Sequence, residues 1–367
     1  MSQKKIYVVT GEASGDLHGS NLVKELYKKG DFQIIGMGGE MLQKAGVELK
    51  HDYRTVNYMG FVDVLKHLRT ILKKIEVIKA DIEKEKPDSV LLIDFPAFNL
   101  RIAKFCKKKG IKVLYYISPQ IWAWKQSRAK QIKANVDELI SILPFEKEFY
   151  KRFDINVHYV GHPLLDAIQN YWYNEDFISK LKSKAENKPI IALLPGSRRS
   201  EITAKLPVMA SLAKKYKNEY HFVIAGAPGA NKDLYSGYEM DIYFGETYNI
   251  LKASSGALVT SGTATLETAL HNVPQVVCYK TSEFNYQAGK KLIKVKYISL
   301  VNLILDKPAV VELIQRDLND QRLEKEFLSI MGNKKENILS DYKNLINLLS
   351  ESGASERAAE IVLKSTL

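Results

Sequence analysis

Ser89-Val-Leu-Leu-Ile-Asp94 and Lys112-Val-Leu-Tyr-Tyr-Ile117 are two short, unbroken apolar runs, and residues 99–109 between them have helical spacing. A strand without polar alternation is buried on both faces, and two such strands joined by a helix form the parallel unit of an α/β sheet. Towards the N-terminus the same grammar gives Ile6-Tyr-Val-Val-Thr10, a helical segment over 16–29 carrying Leu17, Leu22, Val23 and Leu26, the run Gln33-Ile-Ile-Gly36, and a longer helix over 61–80. Beyond it lies Glu138-Leu-Ile-Ser-Ile-Leu143. The pattern pauses at Gly161-His-Pro-Leu-Leu-Asp166, and a Lys-rich segment follows to Lys188. It restarts with Ile190-Ile-Ala-Leu-Leu194, a helix over 201–217, His221-Phe-Val-Ile-Ala225, Ala257-Leu-Val-Thr260, a helix from 263 and Gln275-Val-Val-Cys-Tyr279. The expectation is an α/β protein of two doubly wound units, 1–165 and 166–340, with a linker within 161–188 and a last amphipathic helix, about 340–367, that crosses back to the first unit. The halves are expected to face a cleft, with ligands at the carboxyl ends of the strands.

A chain of 367 residues with 46% hydrophobic content has material for two cores and is neither disordered nor fibrous. The net charge of +12 favours an anionic partner. Cys106 and Cys278 are too few and too far apart for a disulfide framework or a cysteine zinc cluster, so a reducing compartment is expected. The start shows no signal-peptide pattern, and no apolar stretch is long enough to span a bilayer. No nucleic-acid-binding module accompanies the charge.

Leu193-Leu-Pro-Gly-Ser-Arg-Arg-Ser-Glu201 joins a strand to a helix. Gly196 and Ser197 allow close backbone approach, Arg198 and Arg199 offer forked donors to phosphate oxygens, and Ser200 is a candidate cap. Thr260-Ser-Gly-Thr-Ala-Thr-Leu-Glu267 follows another strand. Ser261, Gly262, Thr263, Ala264 and Thr265 open a helix whose free N–H groups suit a diphosphate, with Glu267 one turn in for ribose hydroxyls. The alternative is a plain Ser/Thr cap. Together the loops favour a nucleoside diphosphate. A P-loop, a complete dinucleotide fingerprint, a zinc-protease motif and a nucleophile elbow are absent from the sequence.

In the first half, Gly11-Glu-Ala-Ser-Gly-Asp16 joins strand to helix, and Ser14 or Asp16 caps it or Asp16 binds a sugar hydroxyl. Asp94 ends a buried strand, where apolar surroundings raise a carboxyl's proton affinity; it is a candidate base or a turn cap. Trp122 and Trp124 gather after the next strand and suit sugar rings, acyl chains or core packing. Over 61–78, Val62, Val64, Leu65, Leu68 and Leu72 share an apolar stripe accompanied by Lys66, Arg69, Lys73 and Lys74. That stripe is either a core face or a surface for membrane and acyl chains.

These residues resemble the lipid-A-disaccharide synthase family of bacterial lipopolysaccharide synthesis. The resemblance rests on Gly11–Asp16, Met59-Gly60 with Val64-Leu65, Ile93-Asp94 with Phe98-Asn99, Ser118-Pro119 with Trp122–Trp124, Pro144-Phe-Glu146, Gly161-His162, Leu194–Arg198 with Glu201, Ser261–Glu267, Ser299-Leu300 with Asn302-Leu303, and Glu312-Leu313 with Gln315. It implies a GT-B glycosyltransferase of two Rossmann-like domains. The implied enzyme is inverting, uses neither metal nor cofactor, and joins UDP-2,3-diacylglucosamine to 2,3-diacylglucosamine 1-phosphate. By position Asp94 matches the base and Arg198 the important arginine. Glu12, Ser14, Asp16, Asn99, Ser118, Trp122, Asn302, Glu312 and Gln315 are then expected around the acceptor or cleft. The implied location is cytoplasmic, peripheral on an anionic inner-membrane surface, with a homodimer left open. Asp63, Ala97 and Val301 depart from the family's usual Glu, Asp and Pro, and Ala97 leaves Asp94 as the loop's sole base. The alternatives are a UDP-sugar epimerase on the same scaffold and a non-enzymatic nucleotide-binding or membrane-surface protein.

Overall fold

The computed structural model describes residues 3–55, 68–227, 229–292, 295–349 and 351–367. Val62, Val64 and Leu65 of the expected acyl surface lie outside them, as do Met59, Gly60, Asp63 and Lys66. The chain divides into two compact units, residues 1–166 with 350–367 and residues 167–349.

The first unit holds a parallel sheet in the order β3-β2-β1-β4-β5-β6-β7. Its strands are β1 (Lys4–Thr10), β2 (Phe32–Gly38), β3 (Glu48–Asp52), β4 (Ser89–Ile93), β5 (Lys112–Tyr116), β6 (Glu138–Ser141) and β7 (His158–Tyr159). The second unit orders β8 (Ile190–Leu194), β9 (His221–Gly226), β10 (Asp241–Phe244), β11 (Gly256–Thr260), β12 (Gln275–Tyr279) and β13 (Val311–Ile314) as β10-β9-β8-β11-β12-β13. The central strands carry residues such as Val8, Leu91, Leu193 and Leu258 that are wholly buried, as helices on both faces require. Strand order reverses between β1 and β4 in one sheet and between β8 and β11 in the other. In open parallel sheets those reversal points open the crevice where ligands bind.

The segment 161–188, read as a linker, contains the helices Pro163–Gln169 and Glu175–Lys184, and the division between units falls inside the first. The return of the chain begins at 350 rather than near 340: the helix Lys335–Leu348 stays with the second unit. The last helix, Ala354–Thr366, packs on the helix Ala13–Lys29 through Ala354, Ala358, Ala359 and Val362, all fully buried. Asp166 fastens its start. The carboxylate accepts from the backbone N–H groups of Gly353, Ala354 (3.4 Å) and Ser355 (3.0 Å).

The helix expected over 61–80 is described from Leu68 to Glu85. Ile75, Ile78 and Ile82 are buried, so much of its stripe faces the core. Leu72 and Val77 remain exposed.

Asp166→Ala should lower the stability of the first unit by about 2 kcal/mol, because it strips a charged cap from a buried helix start. A urea midpoint unchanged by the substitution would refute that anchoring role.

Candidate active site

Asp94 follows β4 at the reversal point of the first sheet. It and Phe95 both take left-handed backbone conformations, with φ of 47° and 49°. Each such non-glycine residue costs about 1–3 kcal/mol and persists only where its surroundings impose it. The clamp is visible. Asn99 Nδ2 donates to the carbonyls of Asp94 (2.8 Å), Ile93 (3.1 Å) and Val9 (3.4 Å), and the Tyr115 hydroxyl donates to the Asp94 carbonyl at 2.5 Å. Gly11 completes the turn, since a Cβ there would sit 2.2 Å from the Phe95 ring. Asn99 therefore positions Asp94 and does not serve as an open ligand group.

The consequence is electrostatic. Burial, and then the charge of neighbouring Glu12, push the Asp94 carboxyl up to about 7. A second buried acid, Glu146, feels Asp94 in turn and is also raised to about 7, chiefly by desolvation. Its Oε1 accepts from Trp122 Nε1 at 2.9 Å. Glu146 has no role of its own in the sequence pattern, and Trp122, expected at the acceptor, is a buried partner of that carboxyl packed edge-on against Phe145. Ser118 lies buried beside the same group.

Asp16 caps a different helix from its own. Its carboxylate accepts from the N–H groups of Gly39 (2.7 Å), Met41 (3.0 Å) and Leu42 (3.3 Å), at the start of the helix Glu40–Lys44. Glu12 occupies the cap position of Ala13–Lys29, and Ser14 is exposed beside it.

In the second unit the loops after β8 and β11 flank the reversal point. Gly196 has φ 120°, and a Cβ there would meet Glu201 Oε2 at 2.4 Å. Glu201 accepts from the Ser197 N–H (3.1 Å) and from Arg198 Nη1 (3.0 Å), holding an exposed guanidinium at the loop. Arg198, not Ser200, is the cap residue of the helix Arg199–Lys215. Gly262, with φ 134° and open space beside it, caps the helix Thr263–Leu270. The first turn of any helix leaves its N–H groups without intrahelical partners, here those of Thr263 and Ala264. Ser261 and Thr265 turn inward, donating to the carbonyls of Ile298 and Gly262, each at 2.8 Å. Glu267 Oε1 accepts from Tyr248 at 2.9 Å, and burial raises its proton affinity.

Asn302, Glu312 and Gln315 brace loops. Glu312 accepts from the Ile298 and Ser299 backbones, the Ser299 hydroxyl and Asn302 Nδ2. Asn302 also exchanges bonds with Val310, and Gln315 does so with Thr281. That network ends on the carbonyl that receives Ser261.

Lys205 is the group the sequence reading missed. It is 1% exposed and donates to the Thr260 hydroxyl, where β11 ends. Burial lowers its proton affinity. Its signal was a lysine interrupting the buried stripe Ile202, Leu206 and Met209.

A family profile described as lipid-A-disaccharide synthetase matches residues 6–365. The chain belongs to that family. A lipid-A-disaccharide synthase of Syntrophus aciditrophicus is 39% identical over 99% of this chain and 98% of its own length. One from Myxococcus xanthus is 37% identical over 98% and 97%. The UDP-GlcNAc 2-epimerase of Neisseria meningitidis, solved bound to UDP-GlcNAc, has a TM-score of 0.68 at 15% identity, covering 98% of this chain and 100% of its own. The calicheamicin glycosyltransferase gives 0.63 at 14%, covering 100% and 98%. The fold is GT-B, and the chain is a glycosyltransferase enzyme of lipid A biosynthesis. Among the described residues no helix is long and apolar enough to cross a membrane.

A carboxyl whose folded proton affinity exceeds its unfolded one lends the fold stability at low pH that is lost as pH rises, here from about 3.8 to about 7. Asp94→Asn should therefore melt higher than wild type at pH 8 and lose that advantage by pH 4. An advantage that grew on acidification would contradict the assigned burial.

Proposed function

We propose that the chain transfers the diacylglucosaminyl group of UDP-2,3-diacylglucosamine to the 6-hydroxyl of 2,3-diacylglucosamine 1-phosphate, with inversion at the anomeric carbon. The observation that carries this reading is Asp94, held by a strained turn at a strand-reversal point with a carboxyl poised near neutrality. Its carboxylate takes the proton of the acceptor hydroxyl while that oxygen bonds to the anomeric carbon. The bond from that carbon to the β-phosphate oxygen breaks, and UDP leaves with the electron pair.

Charge develops on the departing diphosphate. Arg198, the N–H groups of Thr263 and Ala264, and the field of buried Lys205 stabilise it as fixed donors and charges that need no reorganisation. The open backbone at Gly196 and Gly262 admits the phosphates, and Glu267 receives the ribose. An anionic membrane surface supplies both acyl substrates, met by the basic face that carries exposed Leu72, Arg69 and Lys73.

Incubation with both substrates followed by mass spectrometry should give the disaccharide 1-phosphate and UDP; an epimerised sugar with no disaccharide would overturn the reading. Asp94→Asn should lower kcat/KM by about 10²–10⁴ while UDP affinity holds. Arg198→Ala should cost about 10²–10³ in turnover. Lys205→Met keeps the stem and removes the charge. It should weaken UDP binding about tenfold by calorimetry without lowering the melting temperature, since an unpaired buried charge is itself destabilising. Unchanged UDP affinity would remove Lys205 from the donor site.

A further inference from the structure

A cavity of about 460 Å³ opens beside the Asp94 turn, and Arg101, Lys125 and Arg128 line it together with Pro96 and Ala97. Pro96 and Ala97 are the first residues of the helix Pro96–Lys108, so the cavity wall begins within about 10 Å of Asp94 along the chain. Among the described residues none of the three cations has a carboxylate within ion-pair distance. By contrast Lys107, on the helix of Arg101, and Lys109, at that helix's end, are paired with Asp137 and Glu83. Two of the cations share an aromatic neighbour. The Lys125 ammonium lies 4.7 Å, and the Arg128 guanidinium carbon 5.0 Å, from the centre of the Trp124 ring, so one indole ring holds two like charges. Arg128 is half-buried, which lowers its proton affinity, and it interacts with Tyr115, whose hydroxyl holds the Asp94 carbonyl. Like charges brought together and partly dried are costly without an anion between them.

We propose that this cavity binds the phosphomonoester of the acceptor, a hexosamine 1-phosphate. The 1-phosphate is borne by carbon 1 and the 6-hydroxyl by the arm on carbon 5, the two carbons that flank the ring oxygen, so one sugar ring holds the two groups at a fixed short spacing. Fixing the phosphate at Arg101, Lys125 and Arg128 presents the hydroxyl to Asp94. The forked guanidinium groups suit a dianionic phosphate, and the helix start adds its positive end to the field. This assignment deepens the reaction proposed above and rests on its acceptor being phosphorylated. It gives Trp124, read from sequence as a sugar or acyl contact, the work of spacing two cations.

The test uses the full chain and two variants at exposed positions: the double substitution Arg101→Gln, Lys125→Gln, and Lys104→Gln, on the same helix outside the cavity. Glucosamine 1-phosphate and glucosamine are titrated calorimetrically. Wild type should prefer the phosphorylated sugar, the double variant should lose about tenfold or more of that affinity, and Lys104→Gln should lose none. Equal affinity in wild type and double variant, or no preference for the phosphate in wild type, would overturn the assignment. In turnover assays the double variant should raise KM about tenfold for the 1-phosphate acceptor and leave KM for its dephosphorylated form nearly unchanged. Equal penalties on both acceptors would overturn it too. Loss of binding to phosphatidylglycerol vesicles with sugar-phosphate affinity intact would give the cations to the membrane and sink the proposal. Wild-type protein that formed no disaccharide would refute the proposed reaction, and the titration would still decide the cavity.

Discussion

The candidate site depends on a carboxylate held where water cannot fully solvate it. Asp94 gains its chemistry from the left-handed pair Asp94–Phe95, which the amide of Asn99 and the hydroxyl of Tyr115 hold by their backbone carbonyls. Relaxing that turn would let the carboxyl reach water and fall back to the ordinary acid range. Glu12 and Glu146 add like charge around it. The strain recurs at Ile117, just past β5, where a β-branched residue also takes positive φ, at 60°. Such backbone gathers where packing must aim a functional group.

In the proposed reaction the second unit meets an opposite demand. A departing diphosphate needs positive potential that is fixed in advance. The loops after β8 and β11 combine an exposed arginine steadied by Glu201, a glycine-capped helix start and a lysine buried beneath the end of β11. Most other polar residues expected near substrates serve this frame: Ser261, Asn302 and Glu312 form one hydrogen-bonded chain that shapes the loop. The geometry thus separates groups that present chemistry from groups that hold the presenters.

Nine strands were legible in the sequence because each is a continuous apolar run buried on both faces. Among the described residues the four that were not, β3, β7, β10 and β13, are the edges of the two sheets. Edge strands have one neighbour and partial exposure, so Glu48-Leu-Lys-His-Asp52 and Asp241-Ile-Tyr-Phe244 read as ordinary mixed sequence. The site was legible as loops rather than as roles. Asp94 and Arg198 stand where strand ends predicted. Asp16 looked like a cap for its own helix and caps the next one, because the partner N–H groups lie more than twenty residues away in sequence. Trp122 looked like a ligand platform because its partner, Glu146, becomes its neighbour only through folding. Lys205 was hidden by the rule that lysines are surface residues.

The most direct test is the proton affinity of Asp94 itself. Carbon-13 NMR of aspartate labelled at the carboxyl, with the Asp94 resonance assigned by its loss in Asp94→Asn, reads it without turnover. A midpoint near pH 7 is expected. A midpoint in the range of a solvated aspartate, about 4, would mean that the turn does not dry the carboxyl and that the base lies elsewhere.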